Sequence, residues 1–295
     1  MVSIKKKVQG NQTYYYLEHS FRDGKRVEYR EKYLGKTLPR DIEKEKHLFM
    51  SEIYQEQWFN KFDAIKATYA EQIKKTPPSI AEKNVGSFMV KFTYNTNRIE
   101  GSRLTFRETS LLLEKGITPN ARPVSDVKET EAHRNVFYKM LDYKKDITLD
   151  AVLYFHKKLF EQTKPDIAGQ LRQYQVAISG SKFVPPFPAE VYPLMMEFLK
   201  WYNKNKEKVH PVELAALVHL KLVTIHPFGD GNGRLSRLMM NFVLNRYGYP
   251  MLDIQYSNRA GYYNALERAQ VRKEDDVFLQ WFFRRYFKEY EKYLR

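Results

Sequence analysis

One run of twelve residues, His226-Pro227-Phe228-Gly229-Asp230-Gly231-Asn232-Gly233-Arg234-Leu235-Ser236-Arg237, gathers side chains suited to phosphate chemistry. Glycines at 229, 231 and 233 let backbone amides approach an anion with no Cβ in the way. A helix opening near Gly233 turns its free N–H groups and positive dipole end toward that anion. Arg234 and Arg237, three residues apart, project from its first turn and can fork onto phosphate oxygens. Asp230 is a lone carboxylate among these donors. Beside a polyphosphate it suits Mg²⁺, which usually takes one or two carboxylates plus phosphate oxygens. His226 is the nearby side chain able to act as a neutral base near pH 7. The run reads as a nucleotide cradle, a metal carboxylate and a base. It lacks the Gly-Lys-Ser/Thr ending of a P-loop, and no His-Glu-x-x-His zinc motif occurs in the chain. A mere turn between helices explains the glycines but not the other five polar residues.

Two apolar helices must hold this run. One covers about 211–224, and Pro227 ends it by disfavouring helical geometry at His226. The other covers about 233–247 and stops at Gly248. The rest of the chain reads as mainly α. A helix over about 80–99 ends at Gly101, a common residue after a helix end. Thr105-x-x-Glu108 opens the next with a capping-box pattern. Further helices are expected over 126–145, 149–162, 188–206, 258–269 and 275–292. Val176–Val184 reads as a short hairpin around Ser179-Gly180-Ser181. Ile42–Ile73 reads as one long charged helix, followed by a break at Lys75-Thr76-Pro77-Pro78-Ser79. Residues 3–36 read as a small antiparallel sheet of about three strands, with Asp23-Gly24 as a hairpin signal and alternation through Val27, Tyr29 and Tyr33. Such a sheet is too small to stand alone. The expected division is a basic β appendage (1–38), a helical linker (39–78) and a helical domain (79–295).

Composition sets outer limits. With 295 residues, 22 Tyr and 19 Phe, the chain can bury a sizeable core. It has no cysteine, which rules out disulfides and thiolate metal sites and fits a reducing cytoplasm. The start has charge without an apolar stretch behind it, unlike a signal peptide, and no run reaches the length of a membrane span. The net charge of +15 suits an anionic partner. In the sheet, Lys5, Lys6, Lys7, Arg22, Lys25, Arg26, Arg30, Lys32 and Lys36 interleave with Tyr14, Tyr15, Tyr16, Tyr29 and Tyr33. Nucleic acid is therefore one reading of that face; packing of the sheet on the rest of the chain or on a target is the other.

The 226–237 run resembles the signature of the Fic family, His-x-Phe-x-Asp/Glu-Gly-Asn-Gly-Arg-x-x-Arg, at every fixed position. The resemblance extends upstream to His156, Gly169 and Arg172, to Val176–Val184 followed by Pro185-Pro186 as a flap hairpin, and downstream to Tyr262-Tyr263-x-Ala265-Leu266, over roughly residues 80–290. An amide that often follows the tyrosine pair stands here as Gln270 rather than Asn. The resemblance implies a Fic-type helical domain that moves AMP from ATP onto a Ser, Thr or Tyr hydroxyl of a target protein. His226 would be the base and Asp230 the ligand for Mg²⁺ or Mn²⁺. Phe228, Gly231, Asn232, Gly233, Arg234, Arg237, Tyr262, Tyr263 and Gln270 would form the nucleotide site, with at most one of the two tyrosines on adenine. Val176, Ile178, Lys182 and Phe183 would dock the target by strand addition.

Thr96-Asn97-Arg98-Ile99-Glu100-Gly101 is similar to the family's inhibitory pattern, Ser/Thr-x-x-x-Glu-Gly/Asn. Taken alone, it is an ordinary surface glutamate before a helix-ending glycine. Under the resemblance, Thr96, Glu100 and Gly101 form a self-inhibiting segment in which Glu100 makes a two-bonded ion pair with Arg237 and keeps it from the γ-phosphate. The same glutamate could orient water for removal of AMP. Removal of AMP, transfer of another phosphate-bearing group, self-modification and a homodimer stay open at this level.

Overall fold

The structure, a computed structural model, describes residues 2–23 and 26–294. The Asp23-Gly24 turn and the side chains of Arg22 and Lys25 lie outside what is described. The chain divides into two compact units, Met1–Ile65 and Lys66–Tyr293.

The first unit opens with strands β1 (Ser3–Gln9), β2 (Gln12–Asp23) and β3 (Arg26–Gly35), antiparallel in that order. Register places Lys5 opposite Tyr16, and Tyr16 opposite Tyr33. One face carries Leu17, fully buried. From that face Lys32 pairs with Glu45 and Glu52, and Arg30 with Glu56, tying β3 to the helical segment that follows. The other face shows Tyr29 and Tyr33 to solvent. Its lysines are largely neutralised: Lys5 pairs with Glu18 and Lys7 with Glu31.

The helix expected over Ile42–Ile73 is interrupted. Helix α1 (Ile42–Tyr54) runs through a π-helical turn, Gln55–Phe59, into α2 (Asn60–Lys75). The second unit holds α3 (Pro78–Ile99), α4 (Phe106–Lys115), α5 (Val124–Asp142), α6 (Leu149–Phe160), α7 (Pro188–Asn205), α8 (Pro211–Ile225), α9 (Asn232–Arg246), α10 (Arg259–Arg272) and α11 (Asp275–Tyr290). Helix α3 begins two residues before the expected Ile80. Pro78 sits in the first turn, where its missing N–H is one of the groups a helix leaves unbonded anyway. The Thr105–Glu108 capping box forms in full at the start of α4. Helices α8 and α9 pack against each other at the centre. Both are buried on nearly every side, which explains why α8 reads as uniformly apolar instead of striped. No helix among the described residues is long and apolar enough to cross a membrane.

Candidate active site

The loop between α8 and α9 is shaped by its two ends. His226 caps α8 in the left-handed region, at φ 51°, an uncommon place for a residue with a Cβ. Gly231 opens α9 at φ 78°, and a Cβ there would also strike the Phe160 ring. Between these ends, the Asn232 side chain closes a ring on the main chain. It accepts from the Phe228 N–H at 2.9 Å and donates to the Phe228 carbonyl at 2.8 Å. Arg172 braces the loop from outside: its Nε donates to the His226 carbonyl at 2.8 Å, its backbone N–H to the Pro227 carbonyl at 2.9 Å and its Nη2 to the Pro186 carbonyl at 2.6 Å. His156 braces it from below. Its Nδ1 accepts from the Gly169 N–H, so Nε2 carries the proton and donates to the Asp230 carbonyl at 2.9 Å.

The His226 imidazole has a defined tautomer. Its Nδ1 lies 3.2 Å from the Val223 carbonyl, which can only accept, so Nδ1 holds the proton and Nε2 keeps a lone pair. Burial lowers its pKa below the ordinary histidine value, and the Arg172 charge adds to the effect. The imidazole is therefore neutral at pH 7. It lines a cavity of about 800 Å³, together with Gly233, Arg237, Tyr262, Tyr263, Gln270 and the 178–181 segment. That volume lies in the range of small-ligand sites.

Glu100 stands in this cavity, at the C-terminal end of α3. That is the unfavourable end for a negative charge, and the partners that compensate come from α9. Glu100 Oε1 accepts from Arg237 Nη2 at 2.6 Å. A Cβ on Gly233 would lie 2.2 Å from the same oxygen, so the carboxylate rests against the first turn of α9. The expected two-bonded pair is corrected here to a single bond. Three more Arg237 N–H groups are engaged: one on Nε by the Thr96 hydroxyl at 2.7 Å, one on Nη2 by the Thr96 carbonyl at 3.2 Å, and one on Nη1 by the Tyr262 hydroxyl at 3.2 Å. Arg237 is 1% exposed.

Comparison with known proteins agrees with this geometry. Residues 146–244 match the model of the Fic/DOC family. The chain carries a Fic/DOC-family domain. It is 36% identical over 181 residues to the protein adenylyltransferase Fic of Nematostella vectensis, a match covering 60% of this chain and 42% of that protein. It is 37% identical over 180 residues to the protein adenylyltransferase Fic of Drosophila ananassae, covering 60% and 36%. The chain thus spans well under half the length of these two relatives. A Fic-domain-containing signaling protein of Bacteroides thetaiotaomicron has a similar structure, with a TM-score of 0.71, 26% identity, and coverage of 79% of this chain and 95% of that one. Fic-1 of C. elegans, residues 134–508, shares the fold at a TM-score of 0.68 and 24% identity, over 83% of this chain and 72% of that one.

Within the Fic domain, several expected contacts fall elsewhere. Phe228 is expected to touch nucleotide, but its ring is fully buried and stacks on His156 at 3.7 Å between centroids. It packs the floor of the loop. The Asn232 side chain faces Phe228, away from the cavity. Arg234 is 5% exposed and bound to Glu129 and Asp230. Of the tyrosines, Tyr262 is buried and bonds His219 and Arg237 through its hydroxyl. Tyr263 is the exposed one, with its hydroxyl on the Ile99 carbonyl at 3.0 Å. Gln270 lines the cavity and donates to Thr224.

Asp230 belongs to a ring of four charges. Lys164 Nζ lies 2.6 Å from Asp230 Oδ2 and 2.9 Å from Glu129 Oε1, while Arg234 bonds both carboxylates. Burial alone would raise the Asp230 pKa; Arg234 and Lys164 outweigh it and hold the group ionised. Glu129 follows the same pattern. Glu129 and Lys164 were not legible in the sequence, since Glu129 lies 105 residues from its arginine and neither belongs to the motif. Tyr174 and Phe160 were missed too: their rings fill the space beside Gly229 and Gly231.

The flap differs from the expected hairpin. Residues 176–184 contain no paired strands; they form a turn, with Ser181 N–H donating to the Ile178 carbonyl at 3.1 Å and Gly180 at φ 74°. The turn satisfies its polar groups locally and through Glu267, which accepts from Ser181 Oγ and the Lys182 N–H. Ile178 lines the cavity; Val176, Lys182 and Phe183 do not.

Proposed function

We propose that this chain is a protein adenylyltransferase, moving AMP from ATP to a hydroxyl of a target protein or of itself, and that Glu100 restrains it. The observation that carries this reading is the opening of His226 onto a nucleotide-sized cavity that also meets the first turn of α9, Arg237 and Glu100. His226 Nε2 takes the proton of the acceptor hydroxyl as that oxygen bonds the α-phosphorus. The bond from the α-phosphorus to its bridging oxygen breaks, and pyrophosphate leaves. Amides at the start of α9, including those of Asn232 and Gly233, and the Arg237 guanidinium align and neutralise the phosphates. Tyr263 is the ring free to meet adenine. The flap turn near Ile178 is where an acceptor backbone would lie.

Mg²⁺ or Mn²⁺ fits Asp230: Arg234 and Lys164 hold this carboxylate ionised just before the first turn of α9, which suits a cation arriving with a triphosphate. Asp230 would hold it, and its charge would stabilise the leaving pyrophosphate. Glu100 occupies the anion position against Gly233 and Arg237, so a γ-phosphate must displace it.

The test uses the Glu100→Gly chain with α- and γ-labelled ATP. Adenylyl transfer leaves the α-label on protein, and Glu100→Gly with His226→Ala loses it by roughly 10²- to 10⁴-fold. Retention of the γ-label would overturn the reading in favour of kinase-like transfer. Faster loss of AMP from modified protein with Glu100 present than absent would assign the glutamate to AMP removal.

A further inference from the structure

Asp230 meets a cation before any metal arrives. Its Oδ2 accepts from Lys164 Nζ at 2.6 Å, and its Oδ1 accepts from the Gly231 N–H and from Arg234 Nη2 at 3.3 Å. A small divalent cation needs an oxygen lone pair at about 2.0–2.1 Å. The Lys164 ammonium already covers the lone pairs of Oδ2 on one side. The ring of Asp230, Glu129, Lys164 and Arg234 sums to zero charge, so a divalent cation added to it unchanged would leave three cations on two carboxylates.

The two resident cations are not equally free to leave. Both lie over the Phe160 ring, but Arg234 has only 6% of its side chain exposed and is fixed by Glu129. Lys164 has 35% of its side chain exposed. Its flexible stem rises from the loop just beyond α6, and when its ammonium withdraws Glu129 still keeps Arg234.

We propose that Lys164 is a resident counter-cation on Asp230 that a divalent metal must displace, making this chain's metal affinity depend on a residue outside the Fic motif. The proposal rests on the reading of Asp230 as the metal carboxylate. Lys164 holds the carboxylate ionised and aimed while the site is metal-free, and it sets a threshold that metal delivered with a triphosphate passes more readily than metal alone.

The experiment is calorimetric titration of a non-hydrolysable ATP analogue into the Glu100→Gly chain, with Mn²⁺ and with EDTA. The ratio of the two affinities measures metal coupling, with no need for an acceptor protein. Adding Lys164→Met is expected to raise that ratio roughly tenfold, because a unit positive charge a few Å from the metal is removed. Lys164→Gln should do the same, and Lys164→Arg should not. An unchanged or smaller ratio in both Met and Gln variants, or loss of affinity confined to the EDTA arm, overturns the proposal: Lys164 would then be a phosphate ligand or a structural ion-pair partner. Asp230→Asn separates the two levels. If it leaves the ratio of the Glu100→Gly chain intact, or if that chain binds no nucleotide, the reading of the site itself fails.

Discussion

Two glutamates reach the first turns of α9 from different helices, and they are built for opposite purposes. Glu129 comes from within α5 and meets Arg234 and Lys164 together, with 14% of its side chain exposed. Glu100 comes from the C-terminal cap of α3 and meets Arg237 by one bond, with 26% exposed. Arg234 depends on its glutamate, because without it a buried guanidinium keeps only the distant Asp230 oxygen. Arg237 does not depend on Glu100: Thr96 and Tyr262 still engage it. The lesson is that an ion pair works as a structural brace where a buried charge would lose its main partner, and as a removable plug where that charge stays well satisfied without it.

Removing the plug gives the largest expected effect. Glu100→Gly should raise ATP-dependent labelling by roughly 10- to 100-fold, the usual span of a coupling between two exclusive states. Equal labelling by the parent chain would erase the distinction between the two glutamates. Removing the brace should act on stability. Glu129→Ala is expected to lower the unfolding free energy by about 3 kcal/mol, since it strands a buried arginine, and chemical denaturation would read this directly.

A third carboxylate sharpens the contrast. Glu213 in α8 is buried, with Asp276 and Asp275 near it, and burial together with those charges raises its pKa to about 7. Folded chain therefore binds a proton there up to about pH 7, while unfolded chain releases it above the ordinary glutamate value of 4.5. Stability from this group is full below pH 4.5 and is lost as pH rises through 7. Glu213→Gln should stabilise the protein at pH 8 by up to about 3 kcal/mol, with the gain vanishing near pH 4.5. A pH-independent difference in thermal midpoint would show that Glu213 is not the titrating group. The smallest effect is the stability change of Glu100→Gly itself, expected within about 1 kcal/mol for a partly exposed pair. A loss as large as that of Glu129→Ala would mean the plug is a brace.

Much of the architecture could be read from local pattern. The α8 and α9 helices, the stop before Pro227, the Thr105–Glu108 box and the three-stranded sheet all follow from short-range rules, because capping, turn geometry and apolar periodicity act within a few residues. The motif chemistry was also legible, since base, carboxylate and arginines stand within twelve consecutive positions. The segment 176–184 departs from the expected hairpin because turn residues mark a reversal but do not supply a ladder; here Glu267 takes the Lys182 amide instead.

What the sequence determined alone is that a glycine-rich loop with a histidine, an aspartate and two arginines joins two buried helices. Tertiary structure decided what surrounds each of those residues. The three glycines, read as open approaches for phosphate, are met by Tyr174, Phe160 and Glu100, and each arginine is assigned its own glutamate. Those partners come from elements far apart in the chain. Which charge meets which depends on how helices pack around α8 and α9, and no local spacing encodes that.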